Sequence, residues 1–238
     1  MTSVREPLRR RWTGPGFETF GTVFGFVYTF LAGNFLLAAA NAPLLVVLAL
    51  VEDPLAAWPF FLALSLTIVP SLAGAFSAFQ ALGADGTAVK PVSAFLRGYK
   101  RSFRRTAPLG LGATAVLMFL FLDLTIVQFM PAAAVLVPLI VIAAAAAVCI
   151  TVTVTAGLVL LPGARLKSLA KAAVYICVRS WYLSLALLAL TAIILGAVLV
   201  QPVLGVALAP APLLFIIWSN TSWAYSAALR HEDPNNPL

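Results

Sequence analysis

The chain has 238 residues, 62% of them hydrophobic and 10% charged, with a mean hydropathy of +1.03. A water-soluble fold of this length cannot hide so much apolar surface, and no polar stretch is long enough to build a second domain. The formal charge of +7 therefore belongs to the connections between apolar segments, where it suits anionic lipid headgroups or an acidic partner and argues against nucleic-acid binding.

Residues 1–19 form a basic N-terminal segment carrying Arg5, Arg9, Arg10 and Arg11. An expected membrane domain, 20–226, follows, and a polar tail, 227–238, closes the chain with Arg230 at its start. A helical span needs about 20 apolar residues. The first expected span runs from Gly21 to Val51, with a kink or break near its outer end because Asn41 and Pro43 interrupt it. The apolar run from Phe20 is longer than the roughly 7 to 15 residues of a signal-peptide core, which argues against cleavage near Ala38, Ala39 and Ala40. Gly21 and Gly25 make a GxxxG, extended by Gly33, which favours close helix packing.

Glu52, Asp53 and Pro54 form an acidic outer turn. Trp58 to Leu82 is the second span, bent near Pro70, and the small residues Ala73, Gly74, Ser77 and Ala78 favour a close crossing with a neighbour. Then comes an amphipathic segment, 91–106. Val92, Phe95, Tyr99 and Phe103 recur at helical spacing with Leu96 at the edge, while Arg97, Lys100, Arg101 and Arg104 occupy the opposite face. Such a helix is expected to lie in the membrane interface, its rings at the acyl boundary and its cations near phosphates. It serves either as a connector obeying the positive-inside rule or as a docking surface; the candidate partner or lipid interface comprises Phe95, Arg97, Tyr99, Lys100, Arg101, Phe103, Arg104 and Arg105.

Leu109 to Phe129 is the third span, joined through Met130 and Pro131 to the fourth, Ala132 to Leu161, as a tight hairpin that stops at Pro162 and Gly163. A second amphipathic segment, 164–180, places Lys167, Lys171, Tyr175 and Arg179 on one side and Leu166, Leu169, Ala173 and Cys177 on the other. Trp181 to Val200 is the fifth span, Gln201 and Pro202 the turn, and Val203 to Tyr225 the sixth, interrupted by Pro210 and Pro212. All 15 Lys and Arg residues fall in four places, and none falls in an outer connection. The positive-inside rule then gives an all-α bundle of six transmembrane helices with both termini cytoplasmic.

Asp123 is the acidic residue that lies well inside a span, where a carboxylate is costly and faces the bundle interior, finds a partner or carries a proton. Its expected partners are Asn34, Thr125, Gln128, Thr191 or water. Asn34 and Asn41 share a face of the first helix and suit helix-to-helix hydrogen bonds. Asp123, Asn34, Asn41 and Gln128 together form the candidate intramembrane polar site. With one His, in the polar tail, neither a His-based metal site nor a His-dependent hydrolase can be assembled. Cys149 and Cys177 are not placed for a structural disulfide, and no GxxxxGKS phosphate loop is present. No cofactor and no enzyme activity are implied.

Three stretches resemble the YesL family of small bacterial integral membrane proteins, a domain of unknown function. They are Gly33-Asn34-Phe35-Leu36-Leu37 in the first span, Ile68-Val69-Pro70-Ser71-Leu72-Ala73-Gly74-Ala75, and the Phe-rich basic segment Ala94-Phe95-Leu96-Arg97-Gly98-Tyr99-Lys100-Arg101-Ser102-Phe103. Members of that family are typically encoded beside carbohydrate ABC importers and glycoside hydrolases. The resemblance thus implies an accessory or regulatory role in sugar uptake, with the importer's permease or another membrane subunit as partner. The alternative is a small secondary transporter or channel whose path is lined by Asp123 and Asn34 and opened by the kinks at Pro70 and Pro210. Sequence names neither the solute nor the oligomeric state.

Overall fold

A computed structural model describes residues 17–51, 58–85, 90–127, 129–130 and 133–232. Among these every regular element is helical: α1 (Phe17–Ala40), α2 (Ala42–Leu50), α3 (Trp58–Leu64), α4 (Ile68–Asp85), α5 (Pro91–Val127), α6 (Ala133–Leu160), α7 (Leu166–Arg179), α8 (Trp181–Val200), α9 (Pro202–Leu208) and α10 (Pro210–Glu232). The basic segment 1–19 lies outside the described residues except at its last three, which begin α1, and the acidic turn at Glu52, Asp53 and Pro54 lies wholly outside them.

The first two apolar segments break where proline and a side-chain amide predict. Pro43 stands in the first turn of α2, and the chain changes direction at Asn41, whose Nδ2 donates to the Leu37 carbonyl at 2.9 Å. The second segment is interrupted by a 3-10 turn, Ser65–Thr67, just ahead of Pro70. Asn41 joins the two breaks: its Nδ2 also donates to Ser71 Oγ at 2.9 Å, and Thr67 Oγ1 donates to its Oδ1 at 3.1 Å. A polar pair of irregularities thus satisfies itself inside an apolar bundle, as backbone in hydrocarbon requires.

Helix α4 is the centre. Ala73, Ala75 and Phe76 are fully buried and Phe79 nearly so, and α1, α5, α6 and α10 pack around them. Phe30 of α1, Phe79 of α4 and Phe215 of α10 meet edge-on or tilted at centroid separations of 5.4 to 6.3 Å. Phe76 faces Trp218 at 5.2 Å. Lipid tails are as apolar as these side chains, so burial alone does not drive helices together in a membrane; close packing and hydrogen bonds do. The small residues of α4 serve that end. The Phe95 ring lies 3.1 Å from the position a Cβ on Gly74 would take, Val69 reaches to 3.0 Å of the equivalent position on Gly110, and Ser77 fills the space beside Gly98. From the Val69–Gly110 contact to the Ser77–Gly98 contact the chain advances along α4 and retreats along α5, so the two helices are antiparallel, and at Gly98 they are nearly in backbone contact.

The separate interfacial helix expected over 91–106 is not present. That segment is the first part of α5, which continues unbroken through Pro108. Contacts with α4 at Gly98 and Gly110 hold the helix on both sides of the proline, while Pro108 and Arg104, whose carbonyl loses its N–H partner, are both exposed. Tertiary packing has overridden a local stop signal. At about 1.5 Å per residue α5 is about 55 Å long, well beyond the roughly 30 Å of a bilayer core, so it is longer than a single crossing requires.

Among the described residues, five helical segments are long and apolar enough to cross a membrane: Val23–Ala40, Ser65–Gly83, Pro91–Val127, Val135–Leu160 and Trp181–Val198. The sixth expected span is divided at Ala209 into α9 and α10. Pro210 and Pro212 lack backbone donors there, and α10 carries Ser219, Asn220, Thr221 and Ser222. It also runs through Glu232, into the expected tail. Large apolar side chains cover the outside: Phe35 is 73% exposed, Phe119 63% and Val135 74%. A surface of that kind calls for an apolar solvent.

The described basic segments gather at one end. Tyr225 Oη, near the end of α10, donates to the Thr153 carbonyl of α6 at 3.1 Å, and Arg105 of α5 reaches the turn that follows α6. There α7 packs Leu169, Ala173 and Ile176 inward and leaves Lys167, Lys171, Tyr175 and Arg179 exposed, as its sequence predicts.

Candidate functional site

The two expected faces of residues 91–106 resolve into three. On the first, Phe95 is 2% exposed and packs against Gly74. Tyr99 stacks on it at 6.3 Å with the planes 13° apart, and Phe103 follows at 5.6 Å from Tyr99. Phe95 is thus a packing residue on α4 and not a ring offered to lipid or partner, a correction to the interfacial reading. The glycine opposite it explains why: a ring can enter only where no side chain stands.

The second face is a line of cations at every fourth residue, Arg97, Arg101 and Arg105. It forms one wall of a cleft of about 960 Å³ between α4, α5 and α6. Ser77, Gln80 and Ala81 of α4 line the cleft, with Lys100 and Ser102 of α5 and Leu158, Val159 and Pro162 at the end of α6. Among the described residues no carboxylate lines the cleft. Arg105 is committed structurally: Nη1 donates to the Pro162 carbonyl at 2.7 Å and Nη2 to that of Ala164. It thereby ties the turn between α6 and α7 to α5. Arg97 donates through Nε to the Ser93 carbonyl at 3.2 Å, and its terminal nitrogens have no acceptor among the described residues. Among the described residues, Lys100 and Arg101 have neither hydrogen-bond nor ion-pair partner.

The third face is outward. Val92, Leu96, Lys100 and Arg104 lie four apart and are all exposed, Val92 to 39% and Leu96 to 44%. Arg104 also has no partner among the described residues. An apolar pair continued by a cationic pair thus runs along a helix anchored on its other sides.

The candidate intramembrane polar site is not assembled as one unit. Asn34 is 3% exposed, and its Oδ1 accepts a hydrogen bond of 2.7 Å from the Ala211 amide at the start of α10. That donor is one of the orphan N–H groups of a helix start. Asn41 is occupied at the α2 and α4 breaks. Asp123 is half-buried on α5 and makes no hydrogen bond with the described residues, and Gln128 lies outside them. Two of the expected partners are turned elsewhere: Asn34 is spent on α10, and Thr191 Oγ1 donates to the Leu187 carbonyl. Cys149 and Cys177 are both free thiols.

Sequence reasoning missed the cleft. Ser77 and Ser102 were invisible as site residues because hydroxyls are common in apolar helices, and Pro162 reads only as a helix stop. The four-residue repeat of Arg97, Arg101 and Arg105 was the available signal, obscured by grouping Arg97, Lys100, Arg101 and Arg104 on one face.

The fold and the cleft define a class: an all-helical bundle with several membrane-length apolar helices and a basic cleft at one end. A family model described as "Protein of unknown function, DUF624" matches residues 55–124. That stretch holds α3, α4 and α5 as far as Leu124, so it includes two of the cleft's three walls. No curated protein and no solved structure matches the chain.

Proposed function

We propose that the chain is a six-span membrane protein of the bacterial inner membrane, its basic end and both termini cytoplasmic, acting as a non-catalytic accessory or regulatory subunit of a carbohydrate ABC importer. α9 and α10 together make the sixth crossing, and that count keeps every Lys and Arg on one side. The YesL resemblance supplies the kind of partner. The observation that carries the reading is the outward face of α5, where Val92, Leu96, Lys100 and Arg104 present an apolar and cationic line on a rigid helix. Exposed apolar groups beside unpaired cations suit an acidic, partly apolar partner surface, with the charges steering encounter and the side chains supplying contact.

Affinity isolation in mild detergent tests the proposal. The wild-type chain is expected to recover a carbohydrate importer's permease or solute-binding subunits, and Leu96→Glu with Arg104→Glu is expected to lose them. Reproducible recovery of the chain alone overturns it. A second reading, a small transporter or channel, has one observation in its favour: Asp123 is half-buried with no hydrogen-bond partner among the described residues. It predicts solute movement in liposomes that Asp123→Asn abolishes. The commitment of Asn34 to Ala211 takes away the other residue that this path would use.

A further inference from the structure

The cleft behind the docking face has chemistry of its own. Arg97 and Arg101 lie one helical turn apart on the same line of α5, with Arg105 a turn further on and Lys100 at the margin. Like charges at this spacing repel, and among the described residues of the lining no carboxylate relieves them. Arg105 cannot turn toward a ligand without releasing the Pro162 and Ala164 carbonyls, so its charge contributes to the field while its donors stay bound. Arg97 and Arg101 are different. Their terminal guanidinium nitrogens have no acceptor among the described residues, and they line the same cleft as Ser102 and Gln80.

We propose that this cleft binds a phosphate-bearing anion, held by Arg97 and Arg101 with Lys100 at the mouth. A guanidinium offers a planar pair of donors that matches two phosphate oxygens, and phosphate has a third oxygen for a neighbouring cation or hydroxyl. A single carboxylate carries too little charge to balance this cluster; a phosphate dianion or a diphosphate fits it. The volume, about 960 Å³, is at the upper end of the roughly 300 to 1,000 Å³ typical of ligand sites, so the anion brings a body with it. Ala81, Ala94, Leu158 and Val159 give that body an apolar wall. The same chemistry comes from two sources: a phospholipid headgroup entering from the bilayer, or a soluble phosphorylated metabolite entering from the aqueous side. Lys100 is shared by the two faces, but Arg97 and Arg101 are on a different line of α5 from Leu96 and Arg104, so substitutions at those four separate ligand binding from partner docking.

The test is thermal unfolding of the full chain. One arm uses neutral detergent with and without inorganic pyrophosphate, at ionic strength matched with sodium chloride. The other uses nanodiscs of zwitterionic lipid with and without phosphatidylglycerol. Wild type is expected to gain several degrees in at least one arm; a gain with pyrophosphate assigns a soluble ligand, and a gain with phosphatidylglycerol alone assigns a lipid headgroup. Arg97→Gln with Arg101→Gln is expected to unfold near the wild-type temperature without anion, since it removes repulsion, and to lose the gain. Arg104→Gln, outside the cleft, is expected to keep it. No gain in either arm, a gain that survives the double substitution, or an equal loss in Arg104→Gln overturns the proposal. The importer isolation reads a different face, so either result can fail without the other.

Discussion

Gly98→Ala tests the contact on which the cleft and the docking face both depend. Gly98 is where α5 lies against α4, and an added Cβ would fall inside the van der Waals radii of Ser77 Oγ and Cβ and 3.3 Å from the Ala73 carbonyl. The hydroxyl can rotate away, at the loss of its 2.8 Å hydrogen bond to Ala73, but the Ser77 Cβ cannot, because it is fixed to the α4 backbone. Relief therefore requires the helices to part. Overpacking of this kind costs about 1 to 3 kcal/mol, and a block made by a Cβ belongs at the upper end, about 3 kcal/mol. Ser77→Gly alone should cost about 1 kcal/mol through helix propensity. Together the two should cost far less than their sum, since the new methyl occupies the space the old one leaves; a coupling of about 2 kcal/mol is expected. Equilibrium unfolding of the four proteins in mixed micelles measures it. Strict additivity, or Gly98→Ala within about 0.5 kcal/mol of wild type, would refute the close α4–α5 approach.

Three further outcomes follow from named contacts. Asn34→Leu leaves the buried Ala211 N–H without its acceptor and should destabilise by about 1 to 3 kcal/mol, with faster amide exchange at the start of α10; unchanged exchange there would contradict the bond. Arg105→Gln should release the turn after α6 and make the chain between Leu161 and Arg165 more sensitive to protease, while Arg104→Gln should not. Asp123→Asn should leave both stability in micelles and recovery of importer subunits unchanged, and a loss of solute transport would instead favour the channel reading.

Proline and amide chemistry made much of the helix pattern legible. The break at Asn41, the irregular turn ahead of Pro70 and the stop at Pro162 follow from missing backbone donors, which act locally. The inward and outward sides of α7 were equally readable, because periodicity places Leu169 and Ala173 opposite Lys167 and Lys171. The division of 91–106 from the span beginning at Leu109 was not recovered, because whether a helix continues through a proline such as Pro108 depends on what holds the flanking turns, and here that is Gly98 and Gly110 against a helix distant in sequence. The small residues of α4 pointed correctly to a close crossing, but only three-dimensional contact reveals that Phe95 enters at Gly74. Asn34 was recognised as a buried amide suited to joining helices, yet its partner, Ala211, lies 177 residues away and is a backbone group that carries no sequence signal.

The most direct test of the docking account is a photo-crosslinking residue placed at position 96 in living cells, compared with one at position 119. Leu96 is on the outward face of α5 beyond the buried contact, whereas Phe119 sits on the exposed apolar part of the same helix. The account predicts an adduct with a carbohydrate importer subunit from position 96, lost when Arg104 is changed to Glu, and none from position 119. Absence of any importer adduct at position 96, with the chain expressed and folded, would contradict it.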